Sequence, residues 1–199
     1  MSGSVCNGND NGLCLQCDDC NSGGEKATIC CPNFANMLKF TRDLITSLGE
    51  LPTDQDFSFV HFASNVEVAS TLDSAKQAVK TLNQLKYTGG KTNLVGAIDS
   101  CQTTLANSPL DRTNLMLIIT DGAPSVPEDP AAKATAAATD AKTAGTFIIP
   151  VLIEEPSYQT AEKRFLENNI SSDGQVFVAD FDGLSSLQDV LFEQVTCQA

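Results

Sequence analysis

The sequence predicts an α/β fold: a doubly wound, mostly parallel sheet with one antiparallel edge strand and helices on both faces. Three observations predict it. Leu115-Met116-Leu117-Ile118-Ile119-Thr120 and residues 146–153 are near-continuous apolar runs, the mark of strands buried on both faces. Elsewhere apolar residues recur at helical spacing, as in Phe34, Met37, Leu38, Thr41, Leu44, Ile45 and Leu48. Strand and helix patterns alternate along the chain, the order that builds a parallel sheet covered on both sides.

Taken in order, Gly12-Leu13-Cys14-Leu15-Gln16-Cys17-Asp18 is a short first strand, less apolar than the later ones. The Phe34 stripe is the first helix, stopped by Gly49. Residues 56–62 alternate as a strand, a Ser-Asn turn follows, and residues 66–68 return as the antiparallel edge strand. Ala75, Val79, Leu82 and Leu85 mark the second helix; Leu94, Ala97, Ile98, Cys101 and Leu105 mark the third. After the strand at 115–120 come a Pro-rich loop at 123–130, an Ala-rich helix at 131–144 and the strand at 146–153. A short helix at 161–166, a strand at 175–178 and a helix carrying Leu184, Leu187, Val190, Leu191 and Val195 complete the series. Neither an internal repeat nor a long linker interrupts it. Residues 1–199 therefore read as one domain, with residues 1–31 a cysteine-rich N-terminal segment that includes the first strand.

The composition is that of a globular chain, with 42% hydrophobic and 19% charged residues. A formal charge of −13 repels the phosphates of nucleic acid and the surface of an anionic membrane. No stretch reaches the roughly 20 apolar residues of a membrane span, so membrane insertion is not expected. Met1-Ser2-Gly3-Ser4 has neither a basic nor an apolar region of a signal peptide. It reads as a processed end or the start of a fragment, which leaves secretion open.

Of the 8 cysteines, Cys6, Cys14, Cys17, Cys20, Cys30 and Cys31 crowd the N-terminal segment, while Cys101 and Cys197 stand apart. The even number and the density suggest disulfides and an oxidising compartment. The competing reading is a metal site, because Cys14-x-x-Cys17-x-x-Cys20 followed by Cys31-Pro32 is close to an iron–sulfur spacing. It lacks a suitably spaced fourth ligand, and zinc ribbons need two separated Cys pairs. Disulfides are the better reading, with a connectivity that spacing does not reveal. Cys101 lies on the apolar stripe of its helix, as a buried thiol or a bridge to the first strand.

Three loops belong at the C-terminal edge of the sheet, where open α/β folds bind ligands and ions. They are Asp18-Asp19-Cys20-Asn21-Ser22, Gly89-Gly90-Lys91-Thr92-Asn93 and Thr120-Asp121-Gly122. Carboxylate and hydroxyl oxygens are the hard donors that Mg²⁺, Mn²⁺ or Ca²⁺ prefer. The plain alternative for Asp121-Gly122 is a turn.

The segments Asn33-Phe34-Ala35-Asn36-Met37-Leu38-Lys39-Phe40, Thr88-Gly89-Gly90-Lys91-Thr92-Asn93-Leu94-Val95-Gly96-Ala97-Ile98 and Leu117-Ile118-Ile119-Thr120-Asp121-Gly122 carry a resemblance. From Phe34 to Cys197 the chain resembles the von Willebrand factor A family, which includes the integrin inserted domains. That family's metal-ion-dependent adhesion site uses an Asp-x-Ser-x-Ser motif after the first strand, then a Thr and a later Asp. The resemblance gives these roles to Asp18, Ser22, Thr92 and Asp121, with Mg²⁺ as the fitting ion and Mn²⁺ or Ca²⁺ as alternatives. The first motif is degenerate here: Asp18-x-Cys20-x-Ser22 has a soft thiol where the family has a serine. About six extra residues also precede the Phe34 helix. The resemblance further implies a bridge between the two ends of the domain, matching Cys6 with Cys197.

Other motifs have plain readings. His61, the one histidine, lies on a strand, and without a Gly-x-Ser-x-Gly elbow it is structural rather than catalytic. Gly89-Gly90-Lys91-Thr92 lacks the earlier glycine of a P-loop, Leu85 standing there. Asn169-Ile170-Ser171 is a glycosylation sequon.

The expected function is a non-enzymatic adhesion or protein-binding module, secreted or at the cell surface, in an extracellular-matrix setting. It would take a protein or glycan partner through an acidic group, with Ser125 and its loop adding specificity. Two alternatives stand beside it: a structural or assembly domain whose metal site has decayed, and an intracellular domain of a multiprotein complex.

Overall fold

The computed structural model describes residues 32–109, 112–154 and 160–198. The expected first strand, Asp18, Ser22 and Cys6 lie outside them, as does the side chain of Cys197. Among the described residues the order is α1 (Pro32–Gly49), β1 (Phe57–Phe62), β2 (Val66–Asp73), α2 (Ala75–Leu82), α3 (Leu94–Leu105), β3 (Asn114–Thr120), α4 (Pro130–Thr143), β4 (Thr146–Ile153), α5 (Ala161–Phe165), β5 (Phe177–Ala179) and α6 (Gln188–Gln198). A π-turn (Leu166–Ile170) extends α5, and a 3₁₀ turn (Gly183–Leu187) leads into α6.

β3, β4 and β5 form a parallel sheet in that order, with Leu117 beside Ile149 and Val151 beside Phe177. β1 and β2 form an antiparallel pair. The period of two sorts the strand residues between two cores. Ile149, Val151 and Ile153 face Phe34, Leu44, Ala78 and Leu191, from α1, α2 and α6. Met116, Ile118, Ile148 and Leu152 face Leu94, Ile98, Ala138 and Leu166, from α3, α4 and the π-turn. β1 obeys the same sorting, because Phe57 and Phe59 pack against the first core while Val60 and Phe62 belong with the second. The two strand groups are therefore parts of one layer with helices on both sides, which is the doubly wound α/β fold. No ladder joins β1 to β3 among the described residues.

Several boundaries differ from the sequence reading. β2 runs on to Asp73, well past Val68, because ladder pairing with β1 carries the strand through a segment without an alternating apolar pattern. The helix at 131–144 is as expected, burying Ala134, Ala137, Ala138 and Ala141. Asn169 of the sequon sits in the π-turn, its Nδ2 donating to the Phe165 carbonyl at 3.1 Å. Cys101 is a free, half-buried thiol, and burial pushes its pKa up to about 11, so it is a packing residue rather than a nucleophile. No described helix is long and apolar enough to cross a membrane.

Ser70 is buried on β2, and its Oγ is the one buried side-chain oxygen among the described residues without a hydrogen-bond partner. An unpaired buried hydroxyl is a net cost. Ser70→Ala is therefore expected to raise stability by about 1 kcal/mol, read as a higher urea midpoint at unchanged slope.

Candidate functional site

β3 and β4 end side by side, with Thr120 opposite Leu152, so the carboxyl edge of the sheet opens at Thr120-Asp121-Gly122. Thr120 is buried, and its hydroxyl closes the turn by donating to the Gly122 carbonyl at 3.0 Å. Asp121 follows at the tip of the strand, partly exposed. Among the described residues a Cβ on Gly122 would meet nothing within 4 Å.

The loop bearing Thr92 is tied down from two directions. On one side Ser64, just beyond β1, accepts from the Lys91 N–H through Oγ at 2.9 Å. The neighbouring Asn93 N–H donates to the Ala63 carbonyl at 2.9 Å. Gly90, at φ +120°, lets the chain pass so close to Ser64 that a Cβ there would lie 2.6 Å from its Oγ. On the other side the Thr92 N–H donates to Ser125 Oγ at 2.9 Å, and the Ser125 N–H donates to the Thr92 carbonyl at 3.0 Å. Asn93 then caps α3, its side chain accepting from the Gly96 N–H at 3.0 Å. The Thr92 loop is thus fixed against the loop that continues from Asp121.

This arrangement brings two of the four expected site residues, Thr92 and Asp121, onto adjoining loops at one edge. Asp18 and Ser22 lie outside the described residues. A hydroxyl and a carboxylate are hard oxygen donors and suit Mg²⁺, Mn²⁺ or Ca²⁺. Among the described residues no three His, Cys, Asp or Glu side chains gather closely enough to hold a metal ion. A cation here would depend on hydroxyls and on the N-terminal loop.

The sequence reading named Ser125 but missed Ser64, the second anchor. Its one trace was Gly90, a glycine beside the motif. Ser125→Ala removes one of the reciprocal bonds and leaves the Thr92 N–H unpaired. A loss of about 1 kcal/mol in stability is expected, measurable by urea unfolding.

His61 is buried on β1, tilted against Phe34 at a centroid distance of 6.4 Å, with Nε2 3.5 Å from Thr88 Oγ1. Burial above all pulls its pKa below the usual value. It packs the base of the loop rather than facing a nucleophile.

The comparisons agree with this architecture. No curated protein matches the sequence. Proximal thread matrix protein 1 from the mussel byssus is similar in structure, with a TM-score of 0.69 at 21% identity; the alignment covers 82% of this chain and 43% of that one. A second structure of the mussel protein has a zinc-occupied MIDAS motif, with a TM-score of 0.68 at 20% identity over 82% of this chain and 43% of that one. Manganese-loaded TRAP protein of Plasmodium vivax gives a TM-score of 0.58 at 20% identity, covering 76% of this chain and 63% of that one. The vWF domain of the pilus tip protein Mfa5 from Porphyromonas gingivalis gives 0.65 at 10% identity, covering 89% and 92%. The chain thus spans less than half the length of the mussel protein. At these identities the likeness shows the fold. The sequence itself matches the von Willebrand factor type A domain family over residues 29–190. Spanning the Thr92 loop, the Asp121 turn and most of both cores, that match places the chain in the von Willebrand factor type A domain family.

Proposed function

We propose that this chain is a non-enzymatic binding module of a cell surface or extracellular matrix, recognising a protein or glycan partner through a divalent cation. Asp18, Ser22, Thr92 and Asp121 would hold the ion, Mg²⁺ first and Mn²⁺ or Ca²⁺ as substitutes. An acidic group of the partner would complete its shell. The observation that carries this reading is the fixed Thr92 loop beside the Asp121 turn, two hard donors at the edge of an α/β sheet. In this reading Asp18 and Ser22 would reach the same edge from the loop that follows the first strand. The bound ion would supply a positive point that water occupies until a carboxylate displaces it. The protein's own part is to keep Thr92 and Asp121 in place before the ion arrives.

A second reading has its own support. Cys20 stands where a hydroxyl ligand belongs, and a soft sulfur contributes little to a hard ion. The chain would then be a structural or assembly domain. Titration of Mg²⁺ and Mn²⁺ into the chelator-stripped full chain, followed calorimetrically, separates the two. The adhesion reading expects saturable binding with Kd on the order of 10⁻⁴–10⁻³ M, the range of extracellular cation modules. Absence of binding at ten times that concentration establishes the structural reading instead.

A further inference from the structure

His61 is the chain's one histidine, and the cation face makes no use of it. It is 6% exposed on β1, held by two neighbours. One is the Phe34 ring of α1 at a centroid distance of 6.4 Å; the other is the Thr88 hydroxyl, 3.5 Å from Nε2. That second contact is long for a hydrogen bond, so little is lost when it breaks. A third group stands across the ladder. Glu67 is the β2 partner of His61, so the two side chains rise from the same face of the β1–β2 pair. Both line a cavity of about 200 Å³ that Thr88 and Gly89 help to close. Its volume corresponds to about six waters, which leaves an imidazole room to move.

A proton reverses the balance among these neighbours. Burial above all lowers the His61 pKa; the charge of the chain's amino terminus acts the same way, and Glu67 acts against both. A neutral ring is therefore at home against Phe34, and at 6.4 Å that ring lies beyond a strong cation–π contact. An imidazolium there is an unpaired buried charge, relieved by turning toward the Glu67 carboxylate. Glu67 is exposed and enters none of the ion pairs among the described residues. The other charges on packed elements are screened by water or paired. Lys76 and Lys80 of α2 and Lys86 and Lys91 beside Thr88 are exposed, while Lys39 and Arg42 of α1 both contact Asp43. The Thr92 loop depends on the same end of β1. Just beyond His61, the Ala63 carbonyl accepts from the Asn93 N–H, and Ser64 Oγ accepts from the Lys91 N–H.

We propose that His61 is an acid-sensitive latch on the Thr92 loop: neutral, it packs between Phe34 and Thr88; protonated, it turns through the cavity to Glu67 and loosens the loop. The latch stands on its own, while its effect on cation affinity rests on the proposed role of the Thr92–Asp121 edge. A histidine with a lowered folded-state pKa contributes stability that is complete above its unfolded value, near 6.5. That contribution is lost as the pH falls through the folded value. Acid below about pH 6.5 is thus the condition that opens the latch.

The test is a titration of the full chain in EDTA from about pH 8 to 5, the range in which histidine changes charge, followed by NMR. A single histidine gives a single imidazole signal, so its midpoint is read without ambiguity. That midpoint is expected below 6.5, with the backbone amides of residues 88–92 shifting at the same pH. Glu67→Gln, at an exposed position, should lower the midpoint and shrink the loop shifts; His61→Gln should abolish them. In a parallel Mn²⁺ titration, wild-type affinity should fall about fivefold or more between the same limits, the low end of coupling between sites, and less in His61→Gln. Loop amides that stay still while the imidazole titrates overturn the proposal, as does a midpoint that Glu67→Gln leaves unmoved. If Mn²⁺ binds at neither pH, the cation reading fails, and the amide shifts in EDTA decide the latch by themselves.

Discussion

Asp121→Ala is expected to abolish measurable binding of Mg²⁺ and Mn²⁺ while leaving the fold intact. Of the two site residues whose positions are described, Thr92 brings a neutral hydroxyl and Asp121 the only negative charge. A hard divalent ion gives up hydration water reluctantly and needs anionic oxygen in return. Loss of an outer partner of a metal ligand costs roughly 10–100-fold in affinity, and loss of a charged ligand itself should exceed that. The Thr120 hydroxyl closes the turn, donating to the Gly122 carbonyl and accepting from its N–H. Calorimetry of the variant beside wild type, with a melting curve of each, is the measurement. Wild-type binding retained in the variant would place any cation elsewhere on the chain and sink the proposed role of this edge.

Phe34→Ala should be the most destabilising single change near the site. Phe34 is fully buried, and its ring meets Tyr87 at 5.7 Å and His61 at 6.4 Å. It therefore joins α1 to β1 and to the segment leading into Gly89. Truncating a buried phenylalanine costs about 3–5 kcal/mol through lost transfer energy and the cavity left behind. That is a large part of the roughly 5–15 kcal/mol that holds a domain folded. A fall in Tm on the order of 10 °C is expected for a chain of this size. A fall under a few degrees would mean that α1 repacks and the cluster is not a fixed joint.

Much of this was legible without coordinates. The near-continuous apolar runs at 115–120 and 146–153 and the apolar stripes of α1 and α3 announced a sheet buried on both faces. Thr92 and Asp121 were legible because each sits at a strand or helix boundary within a local motif. The anchors that hold Thr92 left almost no mark. Ser64 bonds to Lys91 from 27 positions away, and Ser125 to Thr92 from 33, and a serine's composition is the same in any loop. β2 hid its true length for a related reason: Ala69-Ser70-Thr71 is a strand only because β1 lies beside it.

The sequence by itself determined the secondary elements, their layering and the chemistry offered at the carboxyl edge, since burial periodicity and residue type are properties of local stretches. Tertiary structure alone decided which loops are pinned together and, among the described residues, which buried hydroxyl goes unpaired. Those depend on where distant backbone groups end up relative to a side chain. A hydrogen bond formed across a folded chain is set by distance and angle in space, and no spacing along the sequence encodes it.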